Sequence, residues 1–204
     1  MATHLHQGDL PEGLSFPDGV AVDTETAGLK TQRDRLCLVQ LSAGNGDAHL
    51  VQMAPGDYEA PRLRALMQDQ SVVKLMHYAR FDVAAIRHWL SVLSTPIYCT
   101  KIASKLTRTY TDRHGLKDLC RELLGVDMAK VQQSSDWGAT ELTPAQLNYA
   151  AADVLYLHRL RAELDVRLER EGRGHLAATC FAFVPIRAEL DLAGWPEIDI
   201  FSHM

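Results

Sequence analysis

The stretch Gly19-Val20-Ala21-Val22-Asp23-Thr24-Glu25, residues 19–25, decides the reading of the fold. Its first four residues are a short apolar run bounded by turn formers, the pattern of a buried strand. The run leads straight into two carboxylates. Side chains alternate along a strand, so Asp23 and Glu25 point to the same side of the sheet. Working outward, residues 36–41 and 49–52 read as two more strands, separated by the turn sequence AGNGD at 43–47, which makes a β-meander opening. Residues 61–68 are a predicted helix with Pro61 in its first turn. A fourth strand over 72–76, a helix over 82–90 and a fifth strand over 97–99 follow. Helical periodicity returns at 100–106, 116–124 and 143–170. The last of these opens on Thr143-Pro144-Ala145-Gln146, where the hydroxyl can cap the helix and Gln stands three residues on. Three meander strands followed by strand–helix units predict an α/β fold with a mixed five-stranded sheet flanked by helices.

The chain has 204 residues, 47% hydrophobic and 23% charged, enough to bury a sizeable core in one domain. The expected organisation is a single domain over 1–204, with a core over about 19–170 and a C-terminal helix and apolar tail over 175–204. The most apolar run, 176–186, falls short of the roughly 18 residues a membrane span needs, and no membrane partner is expected. The N-terminal MATHLHQGDLPEG lacks a basic patch followed by an apolar core, so it does not read as a signal peptide and a cytoplasmic location is expected. Cys37, Cys99, Cys120 and Cys180 lie far apart without a CxxC pair, which reads as reduced, mostly buried thiols. The net charge of −5 argues against a protein that covers a long duplex by neutralising many phosphates.

Two carboxylates on one side of a strand end repel unless cations or protons neutralise them. Hard, oxygen-seeking Mg²⁺ or Mn²⁺ would do so; a solvated acidic pair is the plainer alternative. Tyr149 and Asp153 stand four apart in LNYAAADVLYL (147–157), on one helix face a turn apart, with three alanines between them that permit close packing. Taken alone, the pair also fits an ordinary amphipathic helix. Asp82 follows HYARF at a helix start, where a carboxylate suits the dipole whether or not it has another role.

The order of these elements resembles the DEDD exonuclease superfamily in its tyrosine (DEDDy) branch. The carrying segments are VDTETAGL (22–29), HYARFD (77–82) and LTPAQLNYAAADVLYL (142–157). With SSDW at 134–137 they look like ribonuclease D, over about residues 19–170. Full-length ribonuclease D carries further helical domains; in size and ending this chain is most similar to stand-alone nano-RNases of the nano-RNase C type. That resemblance implies a ribonuclease H-like fold and a 3′-5′ exoribonuclease acting on short single-stranded RNA, dinucleotides above all. Trimming of longer RNA, action on DNA and a non-catalytic nucleic-acid-binding protein are the competing readings.

The resemblance further implies two divalent metal ions, Mg²⁺ or Mn²⁺. Asp23, Glu25 and Asp153 would ligate one; Asp23 would share the second, with Asp82 contributing directly or through water. Two such ions can activate a water and stabilise the leaving 3′ oxygen. Tyr149 would position the attacking water first and take its proton second, since a phenol is a poor base at neutral pH. Leu29 matches the leucine that wedges between terminal bases in related oligoribonucleases; otherwise it is a loop residue packed on the core. Thr24, with the backbone at Glu25 and Thr26, is a candidate for the terminal 3′-hydroxyl. His77, Tyr78 and Arg80 could contact base, sugar or phosphate, with a structural ion pair the alternative for Arg80. Trp137 either stacks on a base or packs in the core. The segment TRTYTDRHG (107–115) suits a strand-contacting loop or a solvated one. Trp195, Ile198, Ile200 and Phe201 make an apolar ending that should dock on its own core or on a neighbouring subunit. The resemblance implies a homo-octamer.

Overall fold

The computed structural model describes residues 2–128 and 135–203. In chain order its elements are β1 (Thr3–Gln7), β2 (Val20–Thr26), β3 (Leu36–Ser42), β4 (Ala48–Gln52), α1 (Pro61–Gln68), β5 (Lys74–Met76), α2 (Arg80–Trp89), β6 (Ile97–Cys99), α3 (Thr100–Thr107), α4 (Leu116–Leu124), α5 (Pro144–Leu155), α6 (Leu157–Arg170) and α7 (Gly174–Leu192). The strands form one mixed sheet in the order β1-β4-β3-β2-β5-β6. β2, β3 and β4 pair antiparallel as the meander expected, and β5 and β6 extend the sheet in parallel beyond β2.

The fold is α/β, but the sheet has six strands where the sequence predicts five. The additional strand is β1, parallel to β4 from Thr3 opposite Ala48 to Gln7 opposite Gln52. Its five residues, THLHQ, are mostly exposed at the sheet edge, so no buried face imposes an apolar alternation on them. The single helix expected over 143–170 is two: α5 ends and α6 begins at a turn on Tyr156, with φ −105° and ψ −7°. α5 packs on β2, β3 and β4, whereas α6 packs on α3 and α4, and one straight helix cannot follow both surfaces.

Cross-strand register assigns the two faces of the sheet. Asp23 pairs with Gln40, which pairs with Leu50; Glu25 pairs with Leu38. Leu38 and Leu50 pack with Ala150 of α5, so both acids of β2 share the face that α5 covers. The alternate residues Val22, Val39, Leu41 and Val51 belong to the main core, with residues of α1, α2 and α7. Gly19, just before β2, has a φ of 93°, and a Cβ there would come within 2.7 Å of the Val73 carbonyl oxygen. Glycine is thus required where β2 turns in beside the segment leading to β5. Cys37, Cys99 and Cys120 are buried and Cys180 is exposed, all as free thiols. Among the described residues, no helix is long and apolar enough to cross a membrane.

Candidate active site

One carboxylate oxygen from each of Asp23, Glu25 and Asp153 lies within 4.8 Å of the others. β2 supplies the first two through its period of two, and α5 brings Asp153 down onto them. The start of α5 is fixed by a capping box: the Gln146 amide donates to Thr143 Oγ1 at 3.2 Å, and the Thr143 amide donates to Gln146 Oε1 at 2.9 Å. Gln146 Nε2 also donates to the Asp136 carbonyl at 3.0 Å, tying the helix start to the preceding segment. Ala150 and Ala151 are buried, and side chains this small let the helix approach the strands closely.

Asp82 arrives from the other direction. It lies in the first turn of α2, buried, and its Oδ1 accepts a 2.7 Å hydrogen bond from Thr24 Oγ1. Thr24 alternates with Asp23 and Glu25, so Asp82 meets β2 from the opposite face. It stands outside the compact trio, yet its charge acts on both Asp23 and Glu25.

The electrostatics are those of a site short of positive charge. Burial, then repulsion by Asp82, Asp153 and Glu25, raises Asp23 well above the ordinary carboxylate range. Burial, then Asp153 and Asp82, lifts Glu25 to about 8. Burial also takes Asp82 and Asp153 to about 7, against the hydrogen bond from Thr24 in one case and the charge of Lys117 in the other. At neutral pH such a cluster retains part of its protons until a cation displaces them. The trio therefore fits a divalent ion bound through oxygen: its donors are hard carboxylates, convergent and partly exposed.

Tyr149 sits beside Asp153 on α5. Burial, followed by the negative charges of Asp153, Glu25 and Asp23, raises its phenol further above its ordinary value. Its ring lies 6.1 Å from that of Trp137. Trp137 is 3% exposed and packs with Cys37, Leu38, Leu50 and Ala150. It is therefore a core residue behind Tyr149 and offers no face to a base. Ser134, the first residue of the SSDW segment, lies outside the described residues.

The other residues singled out by the sequence divide by exposure. Leu29 is 88% exposed, which discards core packing. Tyr78 is half exposed with a φ of 62°, an uncommon conformation for an aromatic residue; Lys101 Nζ lies 4.0 Å above its ring. Leu29, Tyr78, Arg80, Phe81 and Pro196 are among the residues lining a cleft of about 670 Å³. Arg80 spans that cleft in an ion pair, its Nε and Nη2 at 2.6 and 2.8 Å from the Asp191 carboxylate. It also donates to the Pro196 carbonyl. The guanidinium thus anchors the end of α7 and is not free for phosphate. His77 points its Nδ1 at Thr100 Oγ1, 2.9 Å away, in an enclosed setting that lowers its proton affinity. The hydroxyls of Thr24 and Thr26 donate internally, to Asp82 and to the Gly28 carbonyl, so each meets a 3′-hydroxyl only as an acceptor. In the 107–115 segment, Arg108 is fully buried and paired with Glu122, a structural anchor and not a solvated loop residue. The apolar tail folds back through Arg187, which donates to the Trp195 and Ile198 carbonyls, while Phe201 reaches Phe183 with ring centres 5.8 Å apart. Trp195, Ile198, Ile200 and Phe201 stay 45–76% exposed.

Two neighbours of the acids had no sequence signal. Gln40 Nε2 lies 3.5 Å from Asp23 Oδ2, and Lys117 of α4 acts on Asp153. Both come from elements whose approach depends on sheet register and helix packing.

Comparison with known proteins gives the family. A family model described as 3′-5′ exonuclease matches residues 10–169. A ribonuclease D of Gluconacetobacter diazotrophicus is 39% identical over 155 residues, 76% of this chain and 39% of the relative's length. The chain thus spans about two fifths of that relative. The solved structure of Brucella melitensis NrnC superposes with a TM-score of 0.97 at 55% identity, over 100% of both chains. That protein has also been solved bound to pGG and with bound Mg²⁺. Escherichia coli RNase D superposes with a TM-score of 0.74 at 27% identity, over 89% of this chain and 48% of its own. Fold and acids are those of the 3′-5′ exonuclease class. The chain belongs to the 3′-5′ exonuclease family, as a ribonuclease D-like DEDD member.

Proposed function

We propose that this protein is a cytoplasmic 3′-5′ exoribonuclease that hydrolyses short oligoribonucleotides, dinucleotides above all, to mononucleotides. The observation that carries the reading is the convergence of Asp23, Glu25 and Asp153, three desolvated carboxylates within 4.8 Å. The dinucleotide preference is supported by likeness, over the whole of both chains, to a protein solved with pGG. Likeness to Escherichia coli RNase D, described as an exoribonuclease involved in structured RNA processing, supports longer RNA as the alternative substrate.

Asp23, Glu25 and Asp153 would hold one divalent ion, Mg²⁺ or Mn²⁺, and Asp23 with Asp82 a second. Bound there, such ions supply an activated water and charge stabilisation at the leaving oxygen. The chain's own groups do the rest. Tyr149, whose phenol is raised by burial and by the neighbouring acids, positions the water by hydrogen bonding first and takes its proton second. Thr24 holds Asp82 against the strand through its 2.7 Å hydrogen bond. Leu29, exposed on the segment after β2, presents an apolar wedge to the terminal base, a sequence-tolerant contact. The exposed aromatic and aliphatic tail supports self-association, for which we propose a homo-octamer.

The test is hydrolysis of 5′-labelled RNAs from dinucleotides to long single strands, with DNA in parallel, in Mg²⁺, in Mn²⁺ and in EDTA. Stepwise loss from the 3′ end, fastest on dinucleotides and absent in EDTA, is expected. Turnover that persists in EDTA removes the metal assignment, and equal rates at all lengths remove the dinucleotide preference. A monomer in sizing refutes the assembly.

A further inference from the structure

Three histidines gather on the sheet face opposite the acids. His4 and His6 are two apart on β1 and share a face; His49 of β4 is the register partner of His4. Leu50, which α5 covers, points the other way from His49, so the cluster lies across the sheet from Asp23 and Glu25. The His6 and His49 rings are stacked with centres 5.3 Å apart, and His4 and His49 with centres 4.9 Å apart. His6 Nε2 and His49 Nδ1 are 3.0 Å apart.

We propose that His4, His6 and His49 bind a divalent transition-metal ion, Zn²⁺ or a similar nitrogen-seeking cation, at a site separate from the carboxylate cluster. Two nitrogens bonded to one tetrahedral zinc at about 2.05 Å stand about 3.3 Å apart. The separation of 3.0 Å between the His6 and His49 nitrogens is close to that spacing. Their hydrogen bond would give way to the two metal bonds once the rings turn so that both lone pairs converge on the ion. His4 is exposed and stacked within 17° of the His49 plane, so a side-chain rotation is what brings its nitrogen to the same point. With His4 turned in, two imidazoles from one strand and a third from its neighbour would make a three-nitrogen donor set. Asp47, whose charge reaches His49, is the nearby carboxylate. Burial, then neighbouring histidines, lowers the proton affinity of His49, and burial with His4 does the same for His6. One of the two facing nitrogens carries the proton of their hydrogen bond, which a bound cation would displace. Imidazole donors select such ions over Mg²⁺, the reverse of the preference of the acids. A bound ion would tie the otherwise exposed β1 to β4.

The experiment is calorimetric titration of the EDTA-stripped full chain with Zn²⁺ in excess Mg²⁺, for the wild type, His4→Asn, and a triple His4→Asn, His6→Asn, His49→Asn variant. The wild type should bind one more Zn²⁺ per chain than the triple variant. His4→Asn alone should weaken that ion by about tenfold or more. Zinc should also raise the melting temperature of the wild type and not of the triple variant. Superimposable titrations of wild type and triple variant overturn the proposal. Should the triple variant fail to fold, His4→Asn, which alters an exposed side chain, decides: unchanged zinc affinity refutes the site. Exonuclease activity in Mg²⁺ is a separate readout, so this proposal and the functional one fail independently.

Discussion

The substitution Glu25→Gln should stabilise the metal-free protein at neutral pH while depriving it of activity. Burial and the charges of Asp153 and Asp82 lift this carboxyl from 4.5 to about 8 in the fold. In the unfolded chain it returns to the ordinary range. A folded acid with a raised value keeps its proton while the unfolded one ionises, so its contribution is intact below about 4.5 and is lost as pH rises towards 8. Each pH unit in that window costs the folded state about 1.4 kcal/mol, which makes about 3 kcal/mol at pH 7. Screening at its partly exposed oxygens leaves about 1–3 kcal/mol for the substitution to recover. In a chain of this size that is a rise of about 2–10 °C in melting temperature. The glutamine amide keeps the shape of the side chain and removes the charge. Calorimetric melting in EDTA at pH 5 and pH 7 measures it: the advantage should be large at pH 7 and small at pH 5. Mg²⁺ should shrink or reverse it, because the wild-type acid then has its cation. Catalytic rate should fall by about a hundredfold or more, as for loss of a metal ligand. A variant less stable than the wild type in EDTA at pH 7, or equally advantaged at both pH values, would refute the idea that the cluster stores repulsion.

Tyr149→Phe should lower kcat by about 10- to 100-fold with Mg²⁺ affinity unchanged, as for the loss of a water-positioning hydrogen bond. Because the phenol is raised, not lowered, the pH–rate profile should keep its shape; a limb that disappears would assign proton transfer to the tyrosine. Gly28→Ala should weaken substrate binding more than turnover. A Cβ there comes within 2.3 Å of Asp34 Oδ2, the atom that receives the Lys30 amide at 2.9 Å, so the segment carrying Leu29 must shift. KM should rise several-fold and stability fall by about 1–3 kcal/mol; unchanged KM on a dinucleotide would remove Leu29 from the substrate contact.

Where a single element's own periodicity carries the signal, the sequence sufficed. GVAVDTE reads as a buried strand ending in two acids on one face, and it is one. α1 begins and ends where Pro61 and the apolar spacing place it. Thr143 and Gln146 form the capping box their spacing implies, and Tyr149 and Asp153 share one face of α5. These follow from the alternation of strands, the 3.6-residue turn of helices and local hydrogen bonding, all confined to a few neighbouring residues. What sequence could not decide depends on partners far along the chain. β1 is a strand because β4 offers it a ladder; nothing in THLHQ demands it. The turn at Tyr156 exists because α5 and α6 lie on different surfaces. Trp137 and Arg108 are buried, not presented to substrate, because Leu38 and Leu50 in one case and Glu122 in the other close over them. Asp82 reaches the acids from the opposite face through Thr24. Local sequence sets which way a side chain points along its element; only the packing of elements decides what covers it, what it touches, and whether separate charges share one pocket.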